Sequence, residues 1–118
     1  MTTVADQEIG GLTLVWEDGS KSQRFPLVEK RTLIGRADYC NICINHKSVS
    51  REHADIFSDE KHQVWLRSLS TTAETKVDGI TVRKTLLANG AKIGIGGHFF
   101  IYDSNFPGSA KKVRAAAL

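Results

Sequence analysis

Apolar and polar residues alternate along most of this chain. Leu12-Thr13-Leu14-Val15-Trp16-Glu17 and Gln23-Arg24-Phe25-Pro26-Leu27-Val28 are rich in β-formers and flank the turn residues Asp18-Gly19-Ser20, so they read as two strands joined by a short loop. Pro26 cannot donate to a ladder and is expected at an edge or a bulge. Further short strands are predicted at 32–35, 41–44, 53–57 and 62–69, separated by polar breaks. Val77-Asp78-Gly79-Ile80 is the strongest hairpin signal, because Asp-Gly between β-branched residues favours the two-residue turn whose twist matches the strands. Asn89-Gly90 marks another turn, with strands expected at 91–96 and 98–102. Only 109–118 could be helical, and a lone helix that short is marginal in water. With turn signals every 8–12 residues or so, the pattern predicts an all-β fold, an antiparallel β-sandwich of about ten to eleven short strands.

Length and charge narrow the function classes. A chain of 118 residues can bury a sufficient core as one domain, so no cofactor or metal is required to explain folding. The expected layout is an N-terminal segment at 1–10, the folded domain at 11–106 and a tail at 107–118, whose end, Ala115-Ala116-Ala117-Leu118, looks like a vector-encoded junction. Lys111, Lys112 and Arg114 account for the whole net charge of +3, so the domain itself is close to neutral and its charge does not point to nucleic acid. No apolar run approaches the roughly 18 residues of a membrane span, and residues 1–8 lack a secretory signal. An intracellular protein of nucleus or cytoplasm, monomeric by default and without a membrane partner, is the expectation.

The chemistry concentrates between Thr32 and Ile56. Gly35-Arg36, followed fourteen residues later by Ser50-Arg51-Glu52-His53, suits an anion held between two loops. Arginine supplies a planar fork of donors, serine a hydroxyl, and glycine lets the backbone come close. Together with Asn41-Ile42-Cys43-Ile44 and Val49-Ser50-Arg51-Glu52-His53-Ala54, these residues resemble the signature of forkhead-associated (FHA) domains, which are phosphothreonine-peptide binding modules of FHA/SMAD-like sandwich fold. The resemblance continues through Leu69, Val77-Asp78-Gly79 and Leu87-Ala88-Asn89-Gly90-Ala91-Lys92-Ile93, and so spans roughly Leu12 to Tyr102.

The resemblance implies a non-enzymatic module whose loops at one end of the sandwich bind a phosphothreonine-containing protein or peptide. Arg36, Ser50, Arg51 and Thr72 would contact the phosphate, and Lys47, Ser48 and Thr71 would flank the peptide. Gly35 and His53 would support the two binding loops. The chain departs from the family at Thr71-Thr72-Ala73-Glu74-Thr75, where members carry Ser/Thr-x-Asn-Gly-Thr. The family Asn, which hydrogen-bonds the ligand main chain, is Ala73 here, and the Gly is Glu74. Loss of that clamp motivates an alternative: a docking module of the same fold that binds an unmodified protein. Cys40 and Cys43 with His46 invite a zinc or redox reading, but a structural zinc site needs four ligands and a second pair is absent. Ser50, His53 and Asp55 lack the surroundings of a hydrolase triad. Trp16, Trp65, Phe99 and Phe100 read as core or sheet-face residues, because no basic groove accompanies them.

Overall fold

The computed structural model describes residues 8–15, 19–28 and 31–104. Trp16, the expected turn residue Asp18 and the candidate helix at 109–118 lie outside the described residues. Among the described residues eleven strands, numbered in chain order, form two sheets. One has the order β2 (Lys21–Val28), β1 (Glu8–Val15), β11 (His98–Asp103), β10 (Lys92–Ile95), β7 (Thr75–Val77) and β8 (Ile80–Thr81). The other has the order β4 (Ile42–Cys43), β3 (Thr32–Gly35), β5 (Ala54–Ser58), β6 (Val64–Ser68) and β9 (Lys84–Leu86). Pro26 sits on β2, an edge strand, opposite Gly11. The Asp78-Gly79 turn joins β7 to β8 with Val77 opposite Ile80, and both turn residues have positive φ (53° and 84°), as the two-residue hairpin turn requires.

Side chains alternate across each sheet as the period of two dictates. Phe100 and Tyr102 of β11, Ile93 and Ile95 of β10, and Val64 and Leu66 of β6 face the interior, where they meet Leu12, Leu27, Ile34 and Ile56 in one core. Trp65 and Phe99 lie half-buried on outer faces, while Phe100 is a core residue. β1 begins at Glu8, ahead of the Leu12 start that the alternation suggests, and Glu8 and Gly10 lie opposite Val28 and Leu27 of β2. β9 was not legible in the sequence, because two of its three residues are exposed and the apolar alternation is missing.

Two features bring the fold to the site. First, β3 and β4 run parallel, Ile34 opposite Ile42, in a sandwich whose other recorded pairings are antiparallel. The 36–41 loop carries the chain back over the outer face of the sheet, and Asn41 fastens it by accepting a 2.7 Å hydrogen bond from the Leu33 amide. Second, β3 is buried along its whole length. Ile34 enters the main core, and Leu33 packs outside it with Ala37, Cys40 and Leu69 in a small second cluster beneath that loop. Among the described residues no helix is long and apolar enough to cross a membrane.

Candidate functional site

Four connections gather at one end of the sandwich: the 36–41 loop, the 44–53 loop, the 69–74 loop and the Gly96-Gly97 turn between β10 and β11. Backbone hydrogen bonds join the first two, from the Arg36 amide to the Ser50 carbonyl (2.9 Å) and from the Ala37 amide to the Arg51 carbonyl (3.1 Å). Gly35 makes this approach possible. A Cβ at that position would overlap the Arg51 carbonyl group and crowd the Cys40 sulfur. Gly96 does the same for the turn: with φ of 56°, its missing side chain leaves room for Val49 and Ser48, and its carbonyl accepts the Ser48 hydroxyl at 2.6 Å. Ser48 is therefore a tie between loops, with its hydroxyl already committed.

His53, with no exposed surface, connects the 44–53 and 69–74 loops. The Ser50 amide donates to its Nδ1 at 3.1 Å, so the ring proton must sit on Nε2, which donates to the Glu74 carbonyl at 3.0 Å. This is a neutral imidazole acting as a two-ended spacer. Ser70 makes the second link. Its Oγ accepts from the amides of Thr72 (3.2 Å) and Ala73 (2.9 Å), which occupies both lone pairs, so its own proton goes to the Ser50 hydroxyl 2.7 Å away. The consequence is chemical: Ser50 accepts from Ser70 and keeps its own O–H free to donate outward. Ser70 was missed in the sequence, although a serine two residues before a turn amide is a recurring loop-capping arrangement.

Arg36 is exposed, with Nε held by the Val49 carbonyl at 2.9 Å. That single bond orients the fork, and among the described residues its terminal Nη groups have no partner. The side chains of Arg51, Lys47, Thr71 and Thr72 are likewise exposed and make no hydrogen bond or ion pair among the described residues. Arg36, Ser50 and Thr72 are thus brought to one loop cluster and held there by Val49, Ser70 and His53. Glu74 stands in the same cluster, but its carboxylate lies 3.8 Å from the Lys76 ammonium, both well exposed. That spacing and exposure make a weak pair.

Cys40 and Cys43 lie in different surroundings, Cys40 buried beneath the 36–41 loop and Cys43 beside His46. Cys40 is buried, which pushes its thiol up and keeps it protonated, and it donates to the Arg51 carbonyl at 3.2 Å. Cys43 is exposed on β4, and His46 Nδ1 accepts from the Ser48 amide. Among the described residues no three metal-ligating side chains are arranged to hold an ion. Asp55 is not poised against a nucleophile; it is buried on the outer face of β5 between Arg31 and Arg67.

Two packed sheets with a donor-rich loop cluster at one end define an all-β recognition module. The FHA domain family model matches residues 32–96, and the chain belongs to that family. A structure from a study of phosphothreonine-dependent FHA domain interactions is 29% identical, with a TM-score of 0.69, covering 81% of this chain and 98% of that one. The FhaA FHA domain, solved with the intracellular domain of Rv3910, is also 29% identical, with a TM-score of 0.66 over 79% of this chain and 98% of its own. The FHA domain of CT664 from Chlamydia trachomatis shares the fold at 19% identity, with a TM-score of 0.72 over 82% of this chain and 98% of that one. No curated protein sequence matches the chain.

Proposed function

We propose that this domain recognises phosphothreonine in a partner protein and performs no chemistry on it. The observation that carries the reading is the state of the donors. Arg36 has its Nε anchored and its Nη groups free, and Ser50 is forced by Ser70 to direct its O–H outward. A cluster of this kind is pre-organised for a phosphate, since binding need not break an existing ion pair. Arg36, Ser50, Arg51 and Thr72 are the phosphate contacts in this reading, and Lys47, Ser48 and Thr71 border the peptide. The domain would recruit a larger intracellular protein to partners marked by a kinase, with affinity switched by about two units of ligand charge.

The test is a calorimetric titration with a degenerate phosphothreonine peptide library and its unphosphorylated twin. Arg36→Ala is expected to weaken the phosphorylated set by about 2 kcal/mol, roughly thirtyfold, as loss of a charge-assisted contact does. Equal binding of both sets, whatever residue 36 is, would favour the second reading, docking of an unmodified protein, to which Ala73 and Glu74 point. Those two positions supply an independent check. Restoring the amide with Ala73→Asn is expected to tighten phosphopeptide binding by about 1 kcal/mol, the net worth of one neutral hydrogen bond to the ligand main chain. Unchanged affinity in that variant would mean that the peptide main chain does not pass this position.

A further inference from the structure

Behind the phosphate loops lies a second polar recess. A cavity of about 450 Å³ opens between the 69–74 loop and the segment that links β8 to β9. Arg36, Ser50 and Arg51 do not line it whereas Thr71 and Thr72 do, so it adjoins the phosphate locus across the 69–74 loop. Its base is internally satisfied. The Ser68 hydroxyl accepts from Thr75 at 3.2 Å, and Ser70 is occupied by two amides and Ser50. Its rim is the opposite: the hydroxyls of Thr71, Thr72 and Thr81 and the guanidinium of Arg83 have no protein partner among the described residues.

Arg83 differs in this respect from the cations around it. Arg67 is paired with Asp55, Lys84 lies over the rings of Trp65 and Phe57, and Lys76 faces Glu74. The Arg83 backbone is fixed, since its carbonyl accepts the Ser68 amide at 2.8 Å, so the side chain projects from a rigid point. Among the described residues Glu74 is the only carboxylate on the lining, and it is turned toward Lys76. With Thr72 given to the phosphothreonine, the Arg83 guanidinium and the Thr71 and Thr81 hydroxyls remain as a donor set for an anion.

We propose that this recess holds a second anionic side chain of the bound peptide, a carboxylate or a second phosphate, so that the domain reads phosphothreonine and a neighbouring negative charge together. The inference rests on the phosphothreonine reading above. Thr72 is the shared element: it borders the phosphate loop by resemblance and the recess by position. A ligand that engages both places would span the 69–74 loop.

The experiment uses a phosphothreonine peptide with alanine at the flanking positions, and two scans in which glutamate or phosphoserine replaces each alanine in turn. Dissociation constants are measured for the wild type and for Arg83→Ala, which removes an exposed side chain and leaves the backbone bond intact. The expected result is one position at which the added anion tightens binding by about fivefold, the scale of one favourable charge contact at a surface. Arg83→Ala should abolish that gain and leave the alanine-flanked peptide unaffected. Equal gains from glutamate and phosphoserine identify a carboxylate as sufficient, and a gain from phosphoserine alone identifies a second phosphate; either supports the proposal. It is overturned if no position gives a gain, if the gain survives in Arg83→Ala, or if that variant weakens the alanine-flanked peptide equally. Should even the alanine-flanked peptide fail to bind, the phosphothreonine reading fails first and this inference falls with it, an outcome distinct from the other three.

Discussion

Replacing Arg31 and Arg67 together by methionine is expected to destabilise the domain by about 3–5 kcal/mol at pH 7, because a buried carboxylate is left without a counter-charge. Asp55 has no exposed surface, while the arginine side chains are 47% and 44% exposed, so the cost falls on the carboxylate when its partners go. Methionine keeps apolar stems of similar length, but it also removes the Arg67 guanidinium that lies 5.0 Å from the Phe57 ring centroid, a contact of about 0.5–1 kcal/mol at an exposed site. The pH dependence carries the diagnosis. Burial pushes the Asp55 carboxyl up, but hydrogen bonds from Arg67 (2.7 and 3.1 Å) and Arg31 (2.6 Å) outweigh it and hold the group below its ordinary value. With a folded pKa below the unfolded value of about 3.9, the wild-type contribution is complete above that pH and is lost as pH falls through the folded value.

In the double variant burial acts alone, and the folded pKa rises above the unfolded one. The penalty is then full above the folded pKa and is relieved on acidification, so the stability gap between the two proteins should narrow from pH 7 to pH 4. Urea unfolding at both pH values measures it. A gap that stays the same at both, or one under about 1 kcal/mol at pH 7, would mean that water reaches Asp55 when the arginines are gone.

His53→Ala is the second large effect, and it should appear in two observables. Removing the ring deletes the bonds to the Ser50 amide and the Glu74 carbonyl and leaves a cavity at a fully buried position. The expected loss of stability is about 3 kcal/mol. Phosphopeptide affinity of the folded protein should fall as well, since the 69–74 loop loses its tie to the loop bearing Ser50. Affinity is therefore measured well below the unfolding transition, beside a denaturation curve. Stability lost with affinity retained would reduce His53 to a core filler. His53→Asn, whose amide oxygen stands near the place of Nδ1, should restore the Ser50 contact alone and recover part of each loss.

Much of the fold was legible because it depends on local periodicity. The alternation in β6, β10 and β11 survives folding unchanged, since a strand half-buried between core and solvent must repeat every two residues. Asp78-Gly79 was equally readable, because few residue pairs accept positive φ at both turn positions. β5 shows where that logic stops. Ala54, Asp55 and Ile56 are all buried, and only Arg31 and Arg67, distant in sequence, make burial of an aspartate on the outer face tolerable. The parallel pairing of β4 was hidden for a related reason: its two residues are too few to carry a direction, and Asn41 and the Leu33 amide decide it.

For the site, the sequence by itself determined the residue types and their order: an arginine after a strand-ending glycine, then serine, arginine and histidine, then threonine before a hairpin. Tertiary structure alone decided which donors are free. Ser48 is spent on Gly96 and Ser50 is released by Ser70, yet nothing about either serine in the chain distinguishes them. Hydrogen-bond satisfaction is a property of groups brought together from separate loops, and each hydroxyl has one proton to give, so its direction is set only when all its neighbours are in place.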